Sequence, residues 1–230
     1  MKSNKLRIRA FGLTVMAALG LLAFTAVAAQ AENLTDGGKE GLFQILGSSG
    51  LVAGAALVGK SEGHIRILEP SRNLTILCGT LDFLEGKFLN DKEALVKILY
   101  LECVPLVFGK ETEKIAGCNL IGGDITTTLL ALAKKHEGKP YMLLEGDPTT
   151  IGMIEYESGK GCPLPLKNTI TGSVVGEVKT VGVSQLLQFD ETIQKLFQDK
   201  INYGTNELIL DASVVLELTG SHVGCSWAIV

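Results

Sequence analysis

Aromatic residues make up only 6% of the 230-residue chain, tryptophan occurs once, proline six times, and no basic block is present. Each scarcity excludes something. With a formal net charge of -4 and no lysine and arginine cluster to neutralise phosphates, a nucleic-acid partner is excluded. The 5 cysteines and 3 histidines include no CxxC and no zinc-type spacing, so no metal and no cofactor is expected. Helical patterns of ten or more residues are almost absent, which argues against a parallel sheet with crossover helices. The hydrophobic share, 46% against 20% charged, excludes intrinsic disorder.

What is present begins with an address. Lys2, Lys5, Arg7 and Arg9 precede an uncharged apolar run from Ala10 to Ala29, which closes on Ala29-Gln30-Ala31. That order reads as a signal peptide over 1–31, cleaved after Ala31. The next apolar stretch, Leu51 to Val58, is too short to span a bilayer, so the expectation is a secreted protein without stable membrane insertion after cleavage. Four of the 21 basic residues leave with the signal and none of the 25 acidic ones. The net charge therefore moves from -4 to about -8. Export also permits disulfides. Five cysteines leave one over, giving either two bridges and a free thiol or a fully reduced set.

Residues 32–41 read as a polar tail and 42–230 as one β-rich domain. Short apolar or alternating runs recur, split by Gly, Pro, Asn and Asp: His64–Leu68, Asn73–Leu77, Thr80–Phe83, Ala94–Glu102, Asp124–Ala133, Tyr141–Glu145 and Ile151–Tyr156. Thr169–Val178, Val181–Phe189, Glu207–Leu210, Ser213–Leu218 and Cys225–Ile229 continue the series. Ala94–Glu102 reads as a strand covered on both faces. A strand ending at Phe189 and followed by a short helical turn accounts for Leu186 to Phe197. The fold class is all-β: an antiparallel sandwich or barrel of about 10–12 short strands with at most one short helix.

Gly54-Ala55-Ala56-Leu57-Val58-Gly59-Lys60-Ser61 spells the phosphate-binding loop GxxxxGK[ST], and Glu207 to Asp211 could pass for its aspartate-ended strand. The context is wrong. A helix must start at the lysine so that its N-terminus faces the anion, whereas Glu62-Gly63-His64-Ile65-Arg66-Ile67 follows here. A glycine-rich β-turn at Gly59–Gly63 is expected instead. His64, His136 and His222 are scattered. In Gly172-Ser173-Val174-Val175-Gly176 the serine stands one place early for a nucleophile elbow, and the segment reads as a strand in which Gly172 and Gly176 permit close backbone approach or a bulge. Asp82, Glu85, Glu145, Glu155 and Glu157 are carboxylates from which a hydrolase pair would be drawn, and solvated strand faces explain them as well.

Several segments carry a resemblance: Leu68 to Cys78 (LEPSRNLTILC), Val96 to Cys103 (VKILYLEC), Gly161 to Pro165 (GCPLP), Thr169 to Gly176 (TITGSVVG), Tyr203-Gly204 and Leu216 to Trp227 (LELTGSHVGCSW). In this order they resemble a family of uncharacterised secreted bacterial proteins of actinobacterial type, β-rich and led by a signal peptide. The resemblance implies an exported β-domain and no catalytic residues. Its pattern matches Cys78, Cys103, Cys118 and Cys162 as the disulfide cysteines, with Cys225 as the free thiol. Of the three connectivities, Cys103–Cys118 closes a short loop and is expected together with Cys78–Cys162. The function expected is that of a secreted, non-enzymatic binding or structural module of the cell envelope or medium, its partner an envelope glycan or protein. An extracellular hydrolase using paired carboxylates is the alternative.

Overall fold

Strict alternation builds the longest pieces of this molecule. In Asn206–Thr219 every second residue is apolar, and Leu208, Leu210, Ala212, Val214, Leu216 and Leu218 are all buried while their neighbours face outward. The computed structural model describes residues 39–46, 52–197 and 200–230, so the expected signal peptide over 1–31 and most of the expected polar tail lie outside the described residues. In chain order the elements are β1 (Lys39–Glu40), β2 (Phe43–Ile45), β3 (Ala56–Ser61), β4 (Ile65–Glu69), β5 (Leu74–Cys78), β6 (Thr80–Phe88), β7 (Glu93–Leu101) and β8 (Val104–Val107). There follow β9 (Ile125–His136), β10 (Lys139–Glu155), β11 (Lys167–Val181), β12 (Ser184–Phe189), α1 (Glu191–Leu196), β13 (Ile201–Tyr203), β14 (Asn206–Thr219) and β15 (Trp227–Ile229).

The all-β class holds, with α1 the single α-helix among the described residues. The strands are more numerous than expected and several are long. Tyr141–Glu145 and Ile151–Tyr156 belong to one 17-residue strand, β10, and Glu207–Leu210 and Ser213–Leu218 fuse into β14. The 32–41 tail also needs correction, because Lys39 and Glu40 pair with Lys135 and Lys134 of β9. The reason lies in β9 itself: its pairing with β7 stops at Leu132, and β1 covers the ladder groups left open beyond that point.

Pairing runs β12-β11-β10-β9-β7-β6-β3-β14, and β14 pairs again with β12, so an eight-stranded antiparallel ring closes. The ring is filled, not hollow. Large inward residues meet small ones: a side chain at Gly59 would strike Leu216, one at Gly86 would strike Leu57, and one at Gly176 would strike Leu187 and Phe189. β7 corrects the expectation of a strand covered on both faces. Ala94, Val96, Ile98 and Tyr100 face the interior, whereas Leu95 is 45% exposed. The strand truly covered on both sides is β10. Met142 and Leu144 point into the ring, while Tyr141 and Leu143 pack outside it with Val175, Ile193 and Phe197 beneath α1. Asp190 caps that helix, its carboxylate accepting from the Ile193 N–H at 2.8 Å.

The two ends of the ring differ. At one, β2 and β15 pair and close the barrel with Phe43, Phe88 and Trp227, whose ring centroids lie 4.8–5.9 Å apart. At the other, β4, β5 and β8 continue from the first half of β14 as a smaller sheet, and both disulfides lie on this side.

Candidate functional site

Among the described residues, the four cysteines expected to pair do so and Cys225 is free and half-buried. Their connectivity differs from the expectation: the bonds are Cys78–Cys103 and Cys118–Cys162. Topology explains the difference. Cys78 ends β5 and Cys103 follows β7, and the intervening β6–β7 hairpin brings the two together, since Thr80 pairs with Leu101. Cys118 lies on the 113–123 loop, which is joined to the 156–166 segment through the Leu120 and Tyr156 bridge and the Glu157 N–H to Asn119 C=O bond of 2.9 Å.

The phosphate-loop spelling dissolves into a strand. Gly59, Lys60 and Ser61 lie in β3, so the β-turn expected at Gly59–Gly63 begins only at Glu62. Gly59 is needed for its closeness to Leu216, the Lys60 side chain is exposed opposite Asp82, and Ser61 Oγ accepts from the Leu81 N–H at 2.9 Å. No helix follows. We expect Lys60→Ala to change stability by less than about 0.5 kcal/mol. Millimolar magnesium–ATP should leave the melting temperature of both forms unmoved; an ATP-dependent rise lost in the variant would contradict the strand assignment of function.

The other candidates separate. Asp82 and Glu85 lie on β6, and Glu145 and Glu155 on β10, with β7 and β9 between them. Three strand spacings amount to about 14 Å, against the roughly 5–9.5 Å of a glycosidase pair. Glu155 is paired with Lys167 at 2.6 Å, and Glu157 accepts from Asn119 Nδ2 at 3.0 Å. His136 stacks edge-on against Phe197 at 5.2 Å, His222 sits in a single 3-10 turn, and His64 lines a groove described below. Gly172 does mark a close approach: its φ is +100°, and a Cβ there would meet the Lys200 carbonyl oxygen at 1.9 Å.

Two constellations emerge at the disulfide end. The first is a groove of about 400 Å³ on the outer face of β4–β5–β8, roofed by residues 108–112. Register puts Arg66 beside Leu77 and Asp211, and Thr75 beside Leu68 and Leu106. Leu68, Leu77, Leu106 and Phe108 make an apolar floor. His64, Arg66, Lys110, Glu111 and Asp211 stand at the rim, where Arg66 reaches Glu111 at 2.7 Å and Asp211 at 3.8 Å. Size and lining match those of sites that take a ligand with an apolar body and a few polar anchors.

The second constellation is on the opposite face of the same sheet. Glu69, the last residue of β4, is fully buried. Its Oε1 accepts from Asn206 Nδ2 at 2.6 Å and from Ser71 Oγ at 3.3 Å, and Arg72 Nε lies 3.3 Å away. The Arg72 guanidinium rests over the Tyr203 ring, 5.5 Å from its centroid. Tyr203 and Tyr156 are buried, and burial raises the pKa of both hydroxyls well above the usual phenol value. Glu69 Oε2 and Arg72 Nη1 have no hydrogen-bond partner among the described residues, while the Tyr203 hydroxyl interacts with the Tyr156 hydroxyl and the Asn168 side chain. Left unmet, each of the first two would cost about 1–3 kcal/mol. Beside them opens a cleft of about 540 Å³ walled by Arg72, Asn73, Val107, Ile115, Pro163, Leu164 and Pro165.

No protein family, no curated protein and no solved structure matches this chain. The resemblance to secreted actinobacterial proteins therefore rests on the quoted segments alone. Three of those segments meet at the second constellation: LEPSRNLTILC supplies Glu69 and Arg72, GCPLP supplies the cleft wall, and Tyr203-Gly204 supplies the phenol.

Proposed function

We propose that this chain is an exported, non-enzymatic β-barrel, led out by its 1–31 signal and acting as a binding module of the cell envelope or medium. The observation that carries this reading is the groove over β4–β5–β8, with its floor of Leu68, Leu77, Leu106 and Phe108 and its charged rim. The two disulfides support an oxidising compartment, since such bonds persist outside the reducing cytosol. The resemblance to secreted actinobacterial proteins fits the same reading. A partner would lay an apolar group on the floor and take up the rim charges by displacing Glu111 from Arg66. Glu111 is 78% exposed, so that ion pair is weak and easily exchanged.

Immobilised wild-type protein and a Leu77→Arg variant can be challenged with envelope fractions of the host, glycan and protein separately. We expect one fraction to bind saturably and the variant to weaken it at least about tenfold. The variant's melting temperature should stay near that of the wild type, because Leu77 is only half-buried at the surface. Equal retention by both forms would remove the groove from consideration.

A further inference from the structure

Taking the groove over β4–β5–β8 as the binding site, as proposed above, we infer that it accepts a small carboxylic acid with a compact apolar body. Glu111 is then an internal stand-in for the carboxylate of that ligand.

The charges around the groove are not equivalent. Lys110 and Glu111 belong to the roof, and Lys110 is already engaged with Glu113 at 2.6 Å. Asp211 stands on β14 at the margin, as the register partner of Arg66. Arg66 alone rises from the floor, between Leu77 of β5 and Asp211 of β14. Its Nη2 donates to Glu111 Oε1 at 2.7 Å, a charge-assisted bond, whereas its contact with Asp211 is 3.8 Å, beyond hydrogen-bonding range. The place beside Arg66 therefore holds a carboxylate, and the one that fills it comes from a side chain 78% exposed. An exposed pair of this kind contributes little. A ligand carboxylate can take the Arg66 fork while Glu111 swings into water. A cationic ligand would meet Arg66 and Lys110 instead, and a neutral one would leave Glu111 in place.

The floor sets the rest of the ligand. Leu68, Thr75 and Leu106 form one cross-strand row, and Arg66 with Leu77 forms the next row on the same face. The rows are two residues apart, about 7 Å along the strands. A carboxylate on Arg66 thus leaves room for one ring or a short branched chain over Leu77, Leu68 and Leu106, with Phe108 at its edge. The groove volume of about 400 Å³ suits a ligand of that size. An extended peptide is disfavoured, because the floor strands offer it no free ladder edge. β4 lies between β14 and β5, and β5 lies between β4 and β8. The outer edge of β8 is taken by the Val107 N–H to Glu113 C=O and Ile115 N–H to Pro105 C=O bonds of 2.8 and 3.1 Å. A strand-like partner would gain no main-chain bonds there.

Ligand-detected NMR titrations of the oxidised protein with 4-methylpentanoate and phenylacetate, each against its own amide, test this. Expected is saturable binding of at least one acid, with its amide at least about tenfold weaker. Glu111→Gln should tighten the acid about two- to fivefold, since the tethered competitor loses its charge. Arg66→Gln should weaken it about tenfold. Leu77→Gln keeps every charge and should weaken it too, which locates the acid in the groove. None of the three side chains is buried, so melting temperatures should stay near that of the wild type. Should Arg66→Gln melt early, Arg66→Lys keeps the charge, loses the fork and should give a smaller loss of the same sign. Amides that bind as tightly as their acids, or a Glu111→Gln variant that gains nothing, would overturn the carboxylate assignment and leave the groove standing. Failure of both acids to bind would overturn it as well, and the groove would then rest on the retention result for Leu77→Arg. Acid binding that Leu77→Gln leaves untouched would place the acid outside the groove and overturn the inference outright.

Discussion

Replacing both Cys118 and Cys162 with serine should lower stability by about 4 kcal/mol, and the Cys78, Cys103 double replacement by about 3.5 kcal/mol. These values follow from sequence separations of 44 and 25 residues in the loop-entropy account. The Cys118–Cys162 bond also sits where the ladder is thin. The 113–123 and 156–166 segments share a single bridge, Leu120 with Tyr156, and a few backbone bonds, whereas β9 and β10 pair over eight consecutive residues. Without Cys118–Cys162 the loops around the cleft should open first, so amide exchange there should accelerate before the barrel melts. Urea melts of oxidised wild type and both double variants give the magnitudes. A non-reduced peptide map of protein secreted by its host should show Cys78–Cys103 and Cys118–Cys162, a Cys225 that alkylates, and a first residue of Glu32. A map with Cys103 joined to Cys118 would sink the pairing.

The all-β class and many strand positions were readable from alternation and turn residues, because a half-buried strand prints its burial directly on the sequence. The turn into α1 was readable for a related reason, the apolar stripe of Phe189, Ile193 and Phe197, while the Asp190 cap became visible only in the structure. What escaped was governed by pairing partners distant in sequence. β10 looked like two strands because Gly146, Asp147 and Pro148 spell a break, yet β11 pairs with it on either side of a register shift between Glu145 and Thr150. β3 was hidden by the phosphate-loop spelling, whose glycine turned out to make room for Leu216, its ladder partner on the adjacent β14. The short β2, β8 and β13 exist only because neighbours offer them open edges.

The buried polar cluster was the least legible feature. Glu69 stands between Leu68 and Pro70 in an ordinary turn sequence, and nothing local says its carboxylate is enclosed. That information lies in Asn206, 137 residues away, and in Tyr156 and Tyr203. A sequence signal did exist in retrospect. Each of LEPSRN, GCPLP and Tyr203-Gly204 was singled out as a structural motif, and their convergence in space is what gives them a shared chemical meaning.

Trp227→Ala should cost about 3–5 kcal/mol, the range for truncating a fully buried aromatic side chain. Trp227 is not surrounded by a generic core. It meets Phe43 from β2 and Phe88 from the end of β6, and the buried Gln185 side chain donates to its carbonyl oxygen. Losing the indole therefore loosens the two-stranded cap, which is held to the ring partly through the Gly41 N–H to Ala133 C=O and Phe43 N–H to Asp91 C=O bonds. Trp227→Phe keeps an aromatic ring against Phe43 and Phe88 and should cost less than the alanine. Since this is the sole tryptophan, both variants must be followed by far-ultraviolet circular dichroism in urea. A loss below about 1 kcal/mol for alanine would mean that the ring of strands closes without its cap. The disulfide end, in contrast, should feel neither substitution. The two ends are stabilised separately: one by aromatic packing, the other by covalent staples.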